Sequence, residues 1–75
     1  VAYNGHESWN AWNVSLWINN EEGLYSIAKD CIWRADTRNE AAEQMLEILQ
    51  VMGVDKTPDG APYTKTSIRL AMREM

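Results

Sequence analysis

With 75 residues the chain has room for one domain, residues 1–75, and one small core. A single cysteine, Cys31, excludes an internal disulfide and a Cys-rich metal cluster, and no apolar run approaches the roughly 20 residues that cross a bilayer. The net charge of −4 is uneven. Residues 1–55 hold nine acids and three bases, and residues 56–75 hold two acids and four bases. That balance argues against a nucleic-acid footprint over most of the surface and leaves the C-terminal segment as the one basic element.

Residues 1–7 read as an irregular arm, with Asn4-Gly5 as a turn signal. A first helix is expected from Ser8, its cap, to about Ile18. Trp9, Trp12 and Leu16 share one face by i+3 and i+4 spacing, and Val14, Trp17 and Ile18 share another. A helix apolar on two faces is central or shared with a partner. Asn19-Asn20-Glu21-Glu22 is a junction, with Asn19 and Glu22 at capping-box spacing. A second helix then runs to about Ala35 on a stripe of Leu24, Ile27, Ala28, Cys31, Ile32 and Ala35. Gly23 early in it hints at close packing or a bend.

Thr37, with Glu40 three residues later, caps a third helix that reaches about Met52 and stops before Gly53. Its expected stripe is Ala41, Ala42, Met45, Leu46, Ile48, Leu49 and Met52, with Glu40, Glu43 and Glu47 opposite. Pro58-Asp59-Gly60 marks a turn within a loop from Val54 to Tyr63. The last helix is expected over about Lys65–Met75, capped by Thr64 or Thr66, with Ile68, Ala71, Met72 and Met75 inward. The pattern predicts an all-α fold: a compact bundle of about four short helices with an irregular N-terminal arm.

No pattern of catalytic chemistry emerges. His6 is the only histidine and sits in the arm, where a base is poorly positioned. Cys31 falls on an apolar stripe and reads as a buried small hydrophobe. The twelve-position calcium pattern and the glycine-rich phosphate loop are both absent. Asn13-Val14-Ser15 fits the glycosylation pattern as a chance match in a chain of cytosolic character, which no charged-then-apolar segment opens. The expectation is a cytoplasmic protein that is no enzyme and carries no cofactor or metal.

Two candidate surfaces remain. Tryptophan is enriched at interaction hot spots. Trp12 and Trp17 are expected in the core, whereas Trp9, at the helix start, and Trp33, off the main stripe of its helix, are candidates for a partner-binding patch. Asn10 and Asn13, interleaved with the tryptophans, join that patch if they face solvent; otherwise they hydrogen-bond backbone in the arm or loops. The second surface is the i+4 line Lys65, Arg69 and Arg73, which can touch phosphate or an acidic partner, pair with the acidic face of the third helix, or face water.

The stretch from Trp12 to Tyr25, reading WNVSLWINNEEGLY, with Tyr3-Asn4-Gly5 before it, resembles a Trp-Asn-Val-x-Leu-Trp-Ile box in a family of small bacteriophage and prophage proteins of uncharacterised activity. The resemblance covers roughly residues 3–25 and carries no catalytic residues with it. It implies a phage or prophage accessory protein inside a bacterial host cell. By analogy of size and source, the expectation is a small protein-binding module that inhibits a host enzyme or defence complex. The alternatives are a nucleic-acid-associated accessory protein using its basic last helix, and a structural domain with no distinct site. A homodimer fits any of the three, because the first helix is apolar nearly all round.

Overall fold

The computed structural model describes residues 8–73 and 75. The fold is all-α, with four helices in the order α1 (Trp9–Asn20), α2 (Glu22–Arg34), α3 (Arg38–Val51) and α4 (Lys65–Ala71). Each helix packs on two neighbours: α1 on α2 and α4, and α3 on α2 and α4. The expected arm, including His6, lies outside the described residues.

The helix starts follow from their caps. The Ser8 hydroxyl accepts from the Ala11 N–H at 3.1 Å, and Thr37 does the same for Glu40 at 3.1 Å. Thr64 and Ser67 form a complete capping box on α4. The start of α2 differs from the expected Asn19–Glu22 pair. Asn19 belongs to the last turn of α1, where its amide donates to the Ser15 carbonyl, and Glu21 is the cap. The Glu21 carboxylate folds over the helix end and accepts from the N–H groups of Gly23 and Leu24. A Cβ at Gly23 would lie 3.1 Å from a Glu21 carboxylate oxygen, so the glycine leaves room for this cap.

The helix ends are equally explicable. Past α3, Gly53 takes φ +78° and donates to the Gln50 carbonyl, while Val54 donates to the Leu49 carbonyl. These are the two bonds of a Schellman motif, and Val54 packs onto the core beside them. Helix α4 is shorter than expected, ending at Ala71 rather than Met75. Arg38 accounts for the exposed carbonyls there: its Nε donates to Met72 O at 3.2 Å and its Nη2 to Met75 O at 2.6 Å.

The core joins one stripe from each helix: Val14 and Ile18 from α1, Ala28 and Cys31 from α2, Ala41, Ala42, Met45 and Leu49 from α3, and Ile68 and Ala71 from α4, with Met72 just beyond. Leu24, Ile27, Ile32 and Met75 lean against it half-buried. Ile48 and Met52, expected on the α3 stripe, instead face outward with Val51. Trp12 and Trp17, expected in the core, are only half-buried. The core side of α1 is the narrower stripe Ala11, Val14 and Ile18.

Candidate functional site

The loop between α3 and α4 is a small hairpin. Thr57 and Ala61 pair across it at 2.8 Å, Gly60 donates to the Thr57 carbonyl, and Tyr63 donates to the Asp55 carbonyl. Gly60 sits at φ +97°, the left-handed position that closes a three-residue hairpin turn after Pro58 and Asp59. This hairpin folds back on α1, where Ala61, Tyr63 and Thr57 are buried.

Four side chains hold it there. The Thr57 hydroxyl donates to Asn13 Oδ1 at 2.6 Å and accepts from the Ala61 N–H at 3.0 Å. Asn13 Nδ2 and Trp17 Nε1 both donate to Asp59 Oδ2, each at 2.9 Å. Two donors on one carboxylate oxygen favour the charged form, so the Asp59 pKa is lowered, first by Asn13 and then by Trp17. Asn13 is therefore a buried, bonded residue of this latch and offers a partner nothing. Trp17 stands half-buried because its indole N–H must reach Asp59.

A lowered carboxylate pKa stabilises the fold at pH values above the unfolded pKa of about 3.9 and loses that contribution as pH falls through the folded value. Asp59→Asn keeps the side-chain shape and removes the charge. At neutral pH the variant should melt below the wild type, and the gap should close as pH falls through the lowered pKa of Asp59. Thermal melts from pH 7 to about pH 2 check this; a gap that stays constant would mean the charge is irrelevant to the latch.

The remaining candidate residues fall on three surfaces. Trp33 is 88 % exposed on the face of α2 opposite its core stripe. Trp9 is 40 % exposed and shares the outer face of α1 with the half-buried Trp12 and the exposed Leu16. Asn10 is half-buried, and its Oδ1 is buried with no hydrogen-bond partner among the described residues. The structure thus leaves both candidate tryptophans, Trp9 and Trp33, exposed, one on α1 and one on α2.

The basic line is not continuous. Lys65 lies 3.1 Å from Glu43 of α3, the pairing anticipated as one of its possible fates. Arg69 is exposed on α4, and Arg73 is exposed in the turn beyond the helix. A fourth surface is a shallow groove of about 530 Å³ on the outer side of α2 and α3, lined by Arg34, Gln44, Glu47, Ile48, Val51 and Met52. Sequence reading missed it, although Ile48, Val51 and Met52 repeat at helical spacing at the end of α3.

Cys31 is buried, and burial, reinforced by the charge of Asp30, raises its thiol pKa against a weaker opposing effect of Arg34. A thiol so placed is a poor nucleophile. Tyr63 is likewise raised, by burial and then by the charge of Glu21. Among the described residues no group of three or more His, Cys, Asp or Glu is arranged to hold a metal ion, and no helix is long and apolar enough to cross a membrane.

The arrangement is that of a small all-helical domain with a polar latch between its last loop and α1 and several exposed apolar side chains. The chain belongs to a family of unknown function, DUF7249, whose model matches residues 1–75. No curated protein and no solved structure matches it.

Proposed function

We propose that the protein is a phage or prophage accessory protein that acts in the host cytoplasm as a small protein-binding module, inhibiting a host enzyme or defence complex. The observation that carries the binding role is Trp33, a tryptophan 88 % exposed on the side of α2 away from the core. Leaving so large an apolar side chain in water serves no packing purpose, and tryptophan is the residue most enriched among interface hot spots. The phage setting rests on the box from Trp12 to Tyr25.

The chemistry of the partner follows from the charge. A module carrying −4 favours a partner whose apolar pocket for the indole is rimmed by basic residues. Association should then slow as salt rises, because long-range attraction is screened.

Trp33→Ala tests the reading. The exposed side chain can be removed with a stability change within about 0.5 kcal/mol. Loss of a hot spot weakens binding by about 2 kcal/mol or more, about thirtyfold. Affinity capture from a bacterial lysate, with circular dichroism on each variant, should show a host protein retained by the wild type and lost by folded Trp33→Ala. Equal retention by Trp33→Ala would remove Trp33 as the anchor, and loss only with Trp9→Ala would move the site to α1.

A further inference from the structure

We propose that the groove on the outer side of α2 and α3 is a self-association surface that receives the same groove of a second copy of this chain. Its floor is Ile48, Val51 and Met52 at the end of α3. Val51 is 89 % exposed and Met52 56 % exposed, so the fold makes almost no use of either. The helix packing explains why they are left over. Among the described residues α3 rests on α2 and α4 only, and none of the other elements covers its outer side.

The occupant is argued from the rim. The groove carries one side chain of each sign, Arg34 from α2 and Glu47 from α3, with the neutral Gln44 between helices of the same rim. A partner of uniform charge would gain at one and lose at the other. A second copy related by a two-fold axis presents Arg34 to Glu47 and Glu47 to Arg34, since a two-fold interface pairs each residue with its complement twice. Arg34 is available for this. Its ion pair with Asp30 at 3.1 Å is exposed on both sides, and such pairs contribute little.

Size sets the strength. A standard interface takes about 800 Å² from each partner, roughly a sixth of this chain's 4695 Å² surface. The groove is much smaller than that, so the dimer is weak and concentration-dependent. The like net charges of two copies are screened beyond about 8 Å at physiological ionic strength, which leaves the local Arg34–Glu47 pairing to set the register.

The surface is separate from the one proposed for a host partner. Trp33 and Arg34 are adjacent in sequence and so point about 100° apart around α2. Trp33→Ala should leave self-association unchanged, and a variant that loses the dimer should still capture the host protein.

Sedimentation equilibrium of the full chain, from low micromolar to near millimolar concentration, is the test. The expected result is a monomer–dimer equilibrium in the wild type. Val51→Glu should weaken it at least tenfold with the helical signal and Tm unchanged, because Val51 touches little of its own fold. Arg34→Glu and Glu47→Arg should each weaken it, and the double variant Arg34→Glu/Glu47→Arg should restore it. A wild type that stays monomeric throughout, or a Val51→Glu variant that dimerises as the wild type does, overturns the proposal. A dimer that the double variant fails to restore overturns the reciprocal pairing on which the choice of partner rests.

Discussion

Leu49→Ala is expected to destabilise the fold by about 2–5 kcal/mol, the range for emptying a fully buried leucine site. A chain of this length has roughly 4–11 kcal/mol of stability in total, so the variant should stand near the edge of folding. Leu49 is wholly buried among the core residues of all four helices, and its carbonyl accepts the Val54 bond that closes α3. The substitution leaves that backbone bond in place, so the loss reports packing alone. Urea titration should show a large fall in the midpoint with little change in slope. Val51→Ala, two residues along the same helix, is the internal control: its side chain is in water, and its midpoint should hardly move. Equal losses at both positions would mean that the core is not where the structure places it.

Asn13→Ala should cost about 1–3 kcal/mol, a fall in Tm of roughly 4–24 °C for a domain of this size. The effect comes from what the asparagine leaves behind. The Thr57 hydroxyl is buried and donates to Asn13, so truncation strands that donor away from water. The Asp59 carboxylate loses one of its two donors but is open to solvent and rehydrates. Most of the cost should therefore sit on Thr57, and Thr57→Val in the Asn13→Ala background should not recover it, because the same hydroxyl accepts from the Ala61 N–H, which valine would leave without a partner. Asn13→Asp should be worse than alanine at neutral pH, since it sets a second carboxylate against Asp59, and should improve on acidification. Tm measured by circular dichroism reads all of these; an Asn13→Ala variant with the wild-type Tm would mean that the latch adds nothing to stability.

Sequence pattern and structure agree where the information is local. Ser8, Thr37, Thr64 and Gly53 mark helix ends because capping is decided within four residues of chain, and each occupies the position its chemistry predicts. Glu21 was harder to read, because a glutamate cap depends on a glycine two residues later leaving room for its carboxylate. Past the end of α4 the carbonyls of Met72 and Met75 accept from Arg38, more than thirty residues away in the chain, and no local signal announces that pairing.

The division of surfaces shows the same limit. Helical spacing identifies apolar faces but does not say which face meets a neighbour. Trp9, Trp12 and Leu16 form as regular a stripe as Ala11, Val14 and Ile18, yet only the second lies on the core. The stripe of α3 was drawn too wide, since α2 and α4 do not reach round to Ile48 and Met52. The sequence leaves Asn13 open between solvent and a bond to the arm or loops, because its side-chain partners lie in a loop 44 and 46 residues further on. Trp33 is legible as a candidate for exposure, because it lies off the α2 stripe on the side opposite Ala28 and Cys31, but the extent of its exposure is set by the packing.

That separation along the chain has a consequence for how the molecule assembles. All three bonds from α1 to the hairpin turn span more than forty residues, whereas the helix caps span three or fewer. Local structure can form on its own, but the hairpin cannot find Asn13 and Trp17 until α1 and α4 have come together and closed the intervening loop. The latch thus depends on the two distant parts of the chain having met correctly. A chain whose four helices are formed but wrongly docked would keep its caps, yet would lose its core packing and also leave Thr57 and Asn13 without each other.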